Sequence, residues 1–176
     1  MSQATHLPGD AGRARAALAI YSDGVSETVE RTRVPAVEGW FTLDDEPHLL
    51  GTRCTGSGTY FFPPETTMSR APGFADSELK PVQLSRTGKI WSYTNAGYQP
   101  PDPYVPVTDP YEPFCLAAVE LAEEQLVVMG QVVAGVTVDQ LRIGMEMELV
   151  LDTLSVDDEH EYMVWKWKPV DVEVSP

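Results

Sequence analysis

From residue 81 onward the hydrophobic pattern reads as strands. Met145, Met147, Leu149 and Leu151 alternate with Glu146, Glu148, Val150 and Asp152. A period of two marks a strand with one face buried. Two β-branched-rich runs, 114–121 and 125–133, are joined by a short acidic turn at Glu123-Glu124. Residues 82–94 suggest one long strand bent or broken at Gly88. Residues 162–167 form a last strand, with Met163, Trp165 and Trp167 on one face. Thr137 and Gln140 have the spacing of a capping box, which predicts a short helix between the third and fourth strands.

Five strands with that helix placement follow the order of a Greek-key barrel of the OB type. An open sandwich shares the order. The barrel is expected over residues 81–170, with a short tail at 171–176. Ahead of it, residues 36–80 form a smaller subdomain. In that subdomain Trp40, Phe41, Leu43, Leu49 and Leu50 cover one edge of the core. Gly51 to Pro64 reads as a glycine-rich hairpin followed by a short aromatic strand. Residues 1–35 are polar, with one helical turn expected at 16–21, and read as a tail or docking arm. No internal repeat is evident.

Composition narrows the function. Twelve basic residues stand against 27 acidic ones, a net charge of −15. Nucleic-acid binders need a basic face to neutralise phosphate, so that role is disfavoured. Two cysteines make no disulfide framework, and a cytoplasmic setting is expected. No apolar run is long enough to span a membrane, and no signal peptide is read.

Catalytic patterns are broken. His6, His48 and His160 are scattered, with no His-Glu-x-x-His pair. Thr55 stands where a Gly-x-Ser-x-Gly elbow around Ser57 needs glycine. Cys54 has Arg53 beside it but no histidine with a claim on its proton. Cys115 lies in an apolar strand and reads as core. The acids at 120–124 and 157–161 read as solvated faces.

Several segments carry a resemblance. They are Leu49-Leu-Gly-Thr-Arg-Cys54, Tyr60-Phe-Phe-Pro-Pro64, Arg86-Thr-Gly-Lys-Ile-Trp-Ser-Tyr93, Tyr98-Gln-Pro-Pro101, Ala117-Ala-Val-Glu-Leu121 and Leu141-Arg-Ile-Gly-Met145. In order and spacing they resemble the zinc-ribbon/OB-fold proteins that accompany thiolases and thiolase-like aldolases. Val37-Glu-Gly-Trp-Phe41 and residues 161–167 look most like small subunits of bacterial thiolases for bulky or aromatic acyl-CoAs.

The resemblance implies a mainly β chain: an OB-fold barrel preceded by a degenerate zinc-ribbon-like subdomain. It implies a non-catalytic accessory subunit in a hetero-oligomer. A thiolase-fold partner would supply the catalytic residues, and this chain would help bind acyl-CoA in acyl-CoA degradation. Members usually hold zinc with two cysteine pairs. Here Cys54 stands first, Ser57 replaces the second ligand, and the second pair aligns with Ser69 and Phe74, so no zinc is expected.

Basic residues are scarce, yet Arg53, Arg70, Lys80, Arg86 and Lys89 fall in one span, and none lies between Ile90 and Leu141. CoA phosphates favour such donors. Trp91, Tyr93, Tyr98 and Tyr104 suit a pantetheine or acyl groove. Scattered solubilising charge and ordinary core aromatics explain the same residues. Trp40, Phe41, Trp165 and Trp167 are either docking anchors or core. Three other readings stay open: a scaffold that never touches CoA, a nucleic-acid module, and a hydrolase using Cys54.

Overall fold

The computed structural model describes residues 31–103, 106 and 108–171. The expected turn at 16–21 and Tyr104 lie outside that set. Nine strands are described: β1 (Thr32–Pro35), β2 (Leu50–Cys54), β3 (Tyr60–Phe61), β4 (Leu79–Gln83), β5 (Thr87–Ala96), β6 (Phe114–Leu121), β7 (Leu126–Val132), β8 (Glu146–Val156) and β9 (His160–Pro169).

Five of them close a barrel in the order β9-β7-β6-β5-β8, and β8 returns to pair with β9. All its ladders are antiparallel except β7–β9, which is parallel at Gln131↔Lys166 and Val132↔Trp167. Closure with a parallel third-to-fifth strand contact gives the OB topology and removes the open-sandwich alternative. A single 3-10 turn, Val138–Gln140, sits between β7 and β8. Gln140 Oε1 accepts the Thr137 amide at 2.7 Å, so the expected capping chemistry is present, though only one turn follows.

Alternation explains the barrel. Cys115, Ala117, Val119 and Leu121 of β6 point inward, as do Met147 and Leu149 of β8. With Trp167 and Met163 of β9 they form the core. Cys115 is therefore core, and its thiol donates to Val136 O at 3.5 Å.

Two readings need correction. The 82–94 run is two strands in two sheets, not one. β4 pairs with β2, whereas β5 opens the barrel. The break falls at 84–86, where other groups capture the backbone. Leu84 N donates to Leu49 O at 2.9 Å, and Ser85 N donates to Glu124 Oε1 at 2.7 Å. Gly88 is needed for close approach rather than for the break, because a Cβ there would collide with the carbonyl oxygen of Glu120 on β6. Secondly, the N-terminal segment expected as tail through 35 ends in β1, which runs parallel to β9 from Thr32↔His160 to Pro35↔Met163.

β3, β2 and β4 form a separate three-stranded antiparallel sheet. An aromatic cluster joins it to the barrel. Trp165 of β9 lies 5.5 Å from Phe41, 6.0 Å from Trp40 and 6.0 Å from Phe62, measured between ring centroids. Trp167 is fully buried. Trp40, Phe41, Trp165 and Trp167 are thus packing residues, which removes them as docking anchors.

Candidate functional site

On β5, Ile90 pairs with Val119 and Ser92 with Ala118, so Trp91 is the extra residue of a β-bulge. A bulge re-aims a side chain. Trp91 is turned outward and is 62% exposed. Across the sheet, Ala118 pairs with Met129, and Met129 is 66% exposed. Val127, also exposed, lies two residues before it on β7. Together with Leu116 and Ala118 they form an apolar strip on the outer face of β5, β6 and β7. A shallow groove of about 160 Å³ runs along it. Tyr93 is different: beyond the bulge it pairs with Ala117 and packs against the core. Trp91 and Tyr93 therefore serve opposite faces.

The basic residues are distributed. Arg53 of β2 is exposed, lies over the Tyr60 ring at 5.5 Å, and has Lys80 of β4 as its cross-strand neighbour. Arg70 is ion-paired with Glu65. Arg86 is paired with Glu46 at 3.6 Å, and its Nε donates to Pro47 O at 3.1 Å. Lys89 opens onto a cleft that it shares with Glu120, Glu146 and Glu148. Tyr98, in the loop after β5, is exposed. Arg53 and Lys80 are brought together, and Lys80 is also paired with Glu78 at 3.8 Å; Arg70 and Arg86 are likewise each engaged by an acid.

At the tip of the small sheet lie Cys54, Ser57 and Ser69, the positions that the resemblance aligns with metal ligands. Cys54 Sγ accepts the Ser57 amide at 3.4 Å. The Ser57 hydroxyl, then that of Ser69, lower its pKa to about 6, with burial opposing them. Phe74 fills the remaining side, so close that a Cβ on Gly56 would sit 2.7 Å from its ring. One thiol and two neutral hydroxyls do not fit zinc, which needs about four N, S or carboxylate ligands. Among the described residues no three His, Cys, Asp or Glu side chains converge as a metal site. Packing and hydrogen bonds hold the tip together.

Among the described residues no histidine accompanies the thiols. His48 Nδ1 is 2.9 Å from Leu84 O, and His160 is 3.5 Å from Asp157. Neither histidine hydrogen-bonds to a cysteine. Among the described residues no helix is long and apolar enough to cross a membrane.

A closed OB barrel with an exposed apolar strip, carrying a small sheet at one side, defines a protein of the OB-fold class. Residues 81–152 match the family model described as the C-terminal OB-fold domain of ChsH2. A relative from Methanocaldococcus jannaschii, a DUF35 domain-containing scaffold protein, is 26% identical over 137 residues, covering 77% of this chain and 91% of its own. Among solved structures, a chain of the Ltp2-ChsH2(DUF35) aldolase is 28% identical, with a TM-score of 0.49, covering 69% of this chain and 84% of that one. The match to the OB-fold domain model covers the barrel alone, and over most of its length the chain is similar to a DUF35 domain-containing protein.

The sequence reading missed Val127 and Met129. Its available signal was the 126–129 run, apolar at every position. Such a run reads as buried on both faces, but the barrel covers only one.

Proposed function

We propose that this chain is a non-catalytic accessory subunit that docks a thiolase-like enzyme and assists its handling of acyl-CoA. The observation that carries the docking is the strip itself. Trp91 at 62% and Met129 at 66% exposure, on β5 and β7 with Ala118 of β6 between them, are a costly arrangement for a free protein. Aromatic and methionine side chains are enriched at interface centres. The scaffold description of the methanogen relative, which the chain matches over 77% of its length, supports the same role. The thiolase-like character of the partner rests on the segment resemblance set out above.

For acyl-CoA the support is chemical. Arg53 and Lys80 are adjacent, and Arg53 keeps its donors beside the Tyr60 ring. A guanidinium next to an aromatic face suits a nucleotide bearing phosphates.

The test is co-expression with a thiolase-like protein, followed by size exclusion and CoA titration of the complex. Co-elution, with CoA bound more tightly by the complex than by the partner alone, is the expected result. Trp91→Asp with Met129→Asp should abolish co-elution by weakening association about a hundredfold or more, as hot-spot residues do. Arg53→Ala should weaken CoA binding without dissociating the complex. Co-elution with no change in CoA affinity would favour a pure scaffold. Elution of the chain alone would overturn the proposal.

A further inference from the structure

A second cleft lies where β6 enters the barrel and β7 leaves it. Its volume is about 260 Å³. Phe114, Val132, Val133, Val136 and Leu154 give it apolar walls. At one side stands Lys166 of β9, whose side chain is only 14% exposed and whose Nζ donates to Asp152 Oδ2 at 2.7 Å.

The polar groups decide what fits. An ammonium has three donors, and one of Lys166's is committed to Asp152. Gln131 also lines the cleft, and among the described residues its amide has no protein partner. Several other polar wall groups are already engaged, and Thr108 Oγ1 accepts the Glu112 amide at 3.0 Å. Cys115 bonds to Val136 O, Tyr111 to Ala96 O, and Thr153 to Glu161. Lys166 and the NH2 of the Gln131 amide are the donor side chains without a full set of protein partners that face the apolar recess. The Lys166 charge is balanced by Asp152, and Glu112 adds negative charge at the wall. A free carboxylate gains little there, whereas a neutral carbonyl oxygen gains two donors. The volume falls below the roughly 300 Å³ at which drug-sized pockets begin, too small for a peptide segment and suited to a short chain.

We infer that this cleft binds a short apolar chain ending in a neutral carbonyl group, a thioester, ester or amide, with Lys166 and Gln131 donating to its oxygen. This gives the barrel a small-molecule site of its own. It deepens the acyl-CoA reading and rests on it for the choice of thioester, but it is tested on this chain without any partner, so docking and this cleft can fail separately.

The probe is S-hexanoyl-N-acetylcysteamine, titrated into the isotope-labelled full chain and followed by amide NMR shifts. Hexanoate is the charged comparison. Saturable shifts are expected at Gln131, Val133 and Val136, with hexanoate at least about tenfold weaker. Ala134→Trp, at an exposed wall position, should fill the cleft and weaken binding by about tenfold or more while preserving the melting temperature. Gln131→Leu keeps the bulk and removes the donor. It should weaken the thioester and leave hexanoate unchanged, and it serves if Ala134→Trp fails to fold. Absence of saturation, shifts confined to the Trp91–Met129 strip, equal binding of hexanoate, or thioester binding by the folded variants as tight as by the native chain would each overturn the inference.

Discussion

At the scale of single residues, Cys54 is the most informative. Its thiol stands where a metal ligand is expected, yet its neighbours are hydroxyls. Hydrogen bonds from Ser57 and Ser69 favour the thiolate and bring the pKa to about 6, from an ordinary 9.0. The sign follows directly. Between pH 6 and 9 the unfolded thiol carries a proton that the folded one lacks, so stability from this group rises with pH across that window and is lost as pH falls through 6. Titration of thiolate absorbance near 240 nm should show a midpoint near 6, moving upward in Ser57→Ala and in Ser69→Ala; an unchanged midpoint in both would remove the hydroxyls as the cause. Gly88 is the other decisive residue. Its missing side chain lets β5 approach the Glu120 carbonyl. Gly88→Ala should therefore cost about 1–3 kcal/mol in urea unfolding, the usual range for overpacking.

At the scale of elements, the connection between β4 and β5 shows what the sequence could and could not tell. Strand order, the alternation of β6 and β8, and the capping pair Thr137 and Gln140 were all legible, because each is a local pattern with a fixed period or spacing. The break at 84–86 was not. It depends on Glu124, 39 residues away, whose Oε1 accepts both the Ser85 amide at 2.7 Å and its hydroxyl at 3.0 Å. In sequence, Glu124 looked like part of a solvated acidic turn; in the fold it is 7% exposed. β1 was hidden for the same reason, since Thr-Arg-Val-Pro has no signature until β9 is beside it. Of the candidate site, the types were legible but not the placement. The bulge sends Trp91 outward, whereas Tyr93 turns toward the core, a difference that no two-residue period contains. Glu124 also gives an element-level prediction. Oε2 is buried without a partner. Glu124→Ala should lose two charged hydrogen bonds yet relieve that orphan, a net destabilisation of about 2 kcal/mol. Amide exchange at Ser85 should accelerate in step. Glu124→Gln keeps the acceptor and drops the buried charge, so it should stay within about 1 kcal/mol of native.

At the scale of the whole molecule, the question is how a three-stranded sheet too small to own a core behaves as part of one body. Among the described residues no metal cluster holds it. Its attachment is the aromatic seam of Trp40, Phe41, Phe62 and Trp165, with Leu84 and Leu49 buried beside it. This seam ties the sheet to the barrel with apolar area. Barrel and small sheet should then unfold in one transition, because neither can expose the seam without the other losing its cover. Trp165→Ala tests this. Trp165 is half-buried, so its truncation should cost about 3 kcal/mol, the low end for a large aromatic. The loss should fall on both units at once, seen as equal shifts in the urea midpoints of amide exchange at Thr52 in β2 and at Val119 in β6. If only the Thr52 midpoint moved, the sheet would be an independent appendage. Docking through the outer face of β5–β7 would then leave it free to move, and the Arg53–Lys80 pair would have no fixed position relative to the partner's site. A shared transition instead fixes that pair to the same rigid frame as the Trp91 strip, as the proposed presentation of phosphate-binding groups to a partner requires.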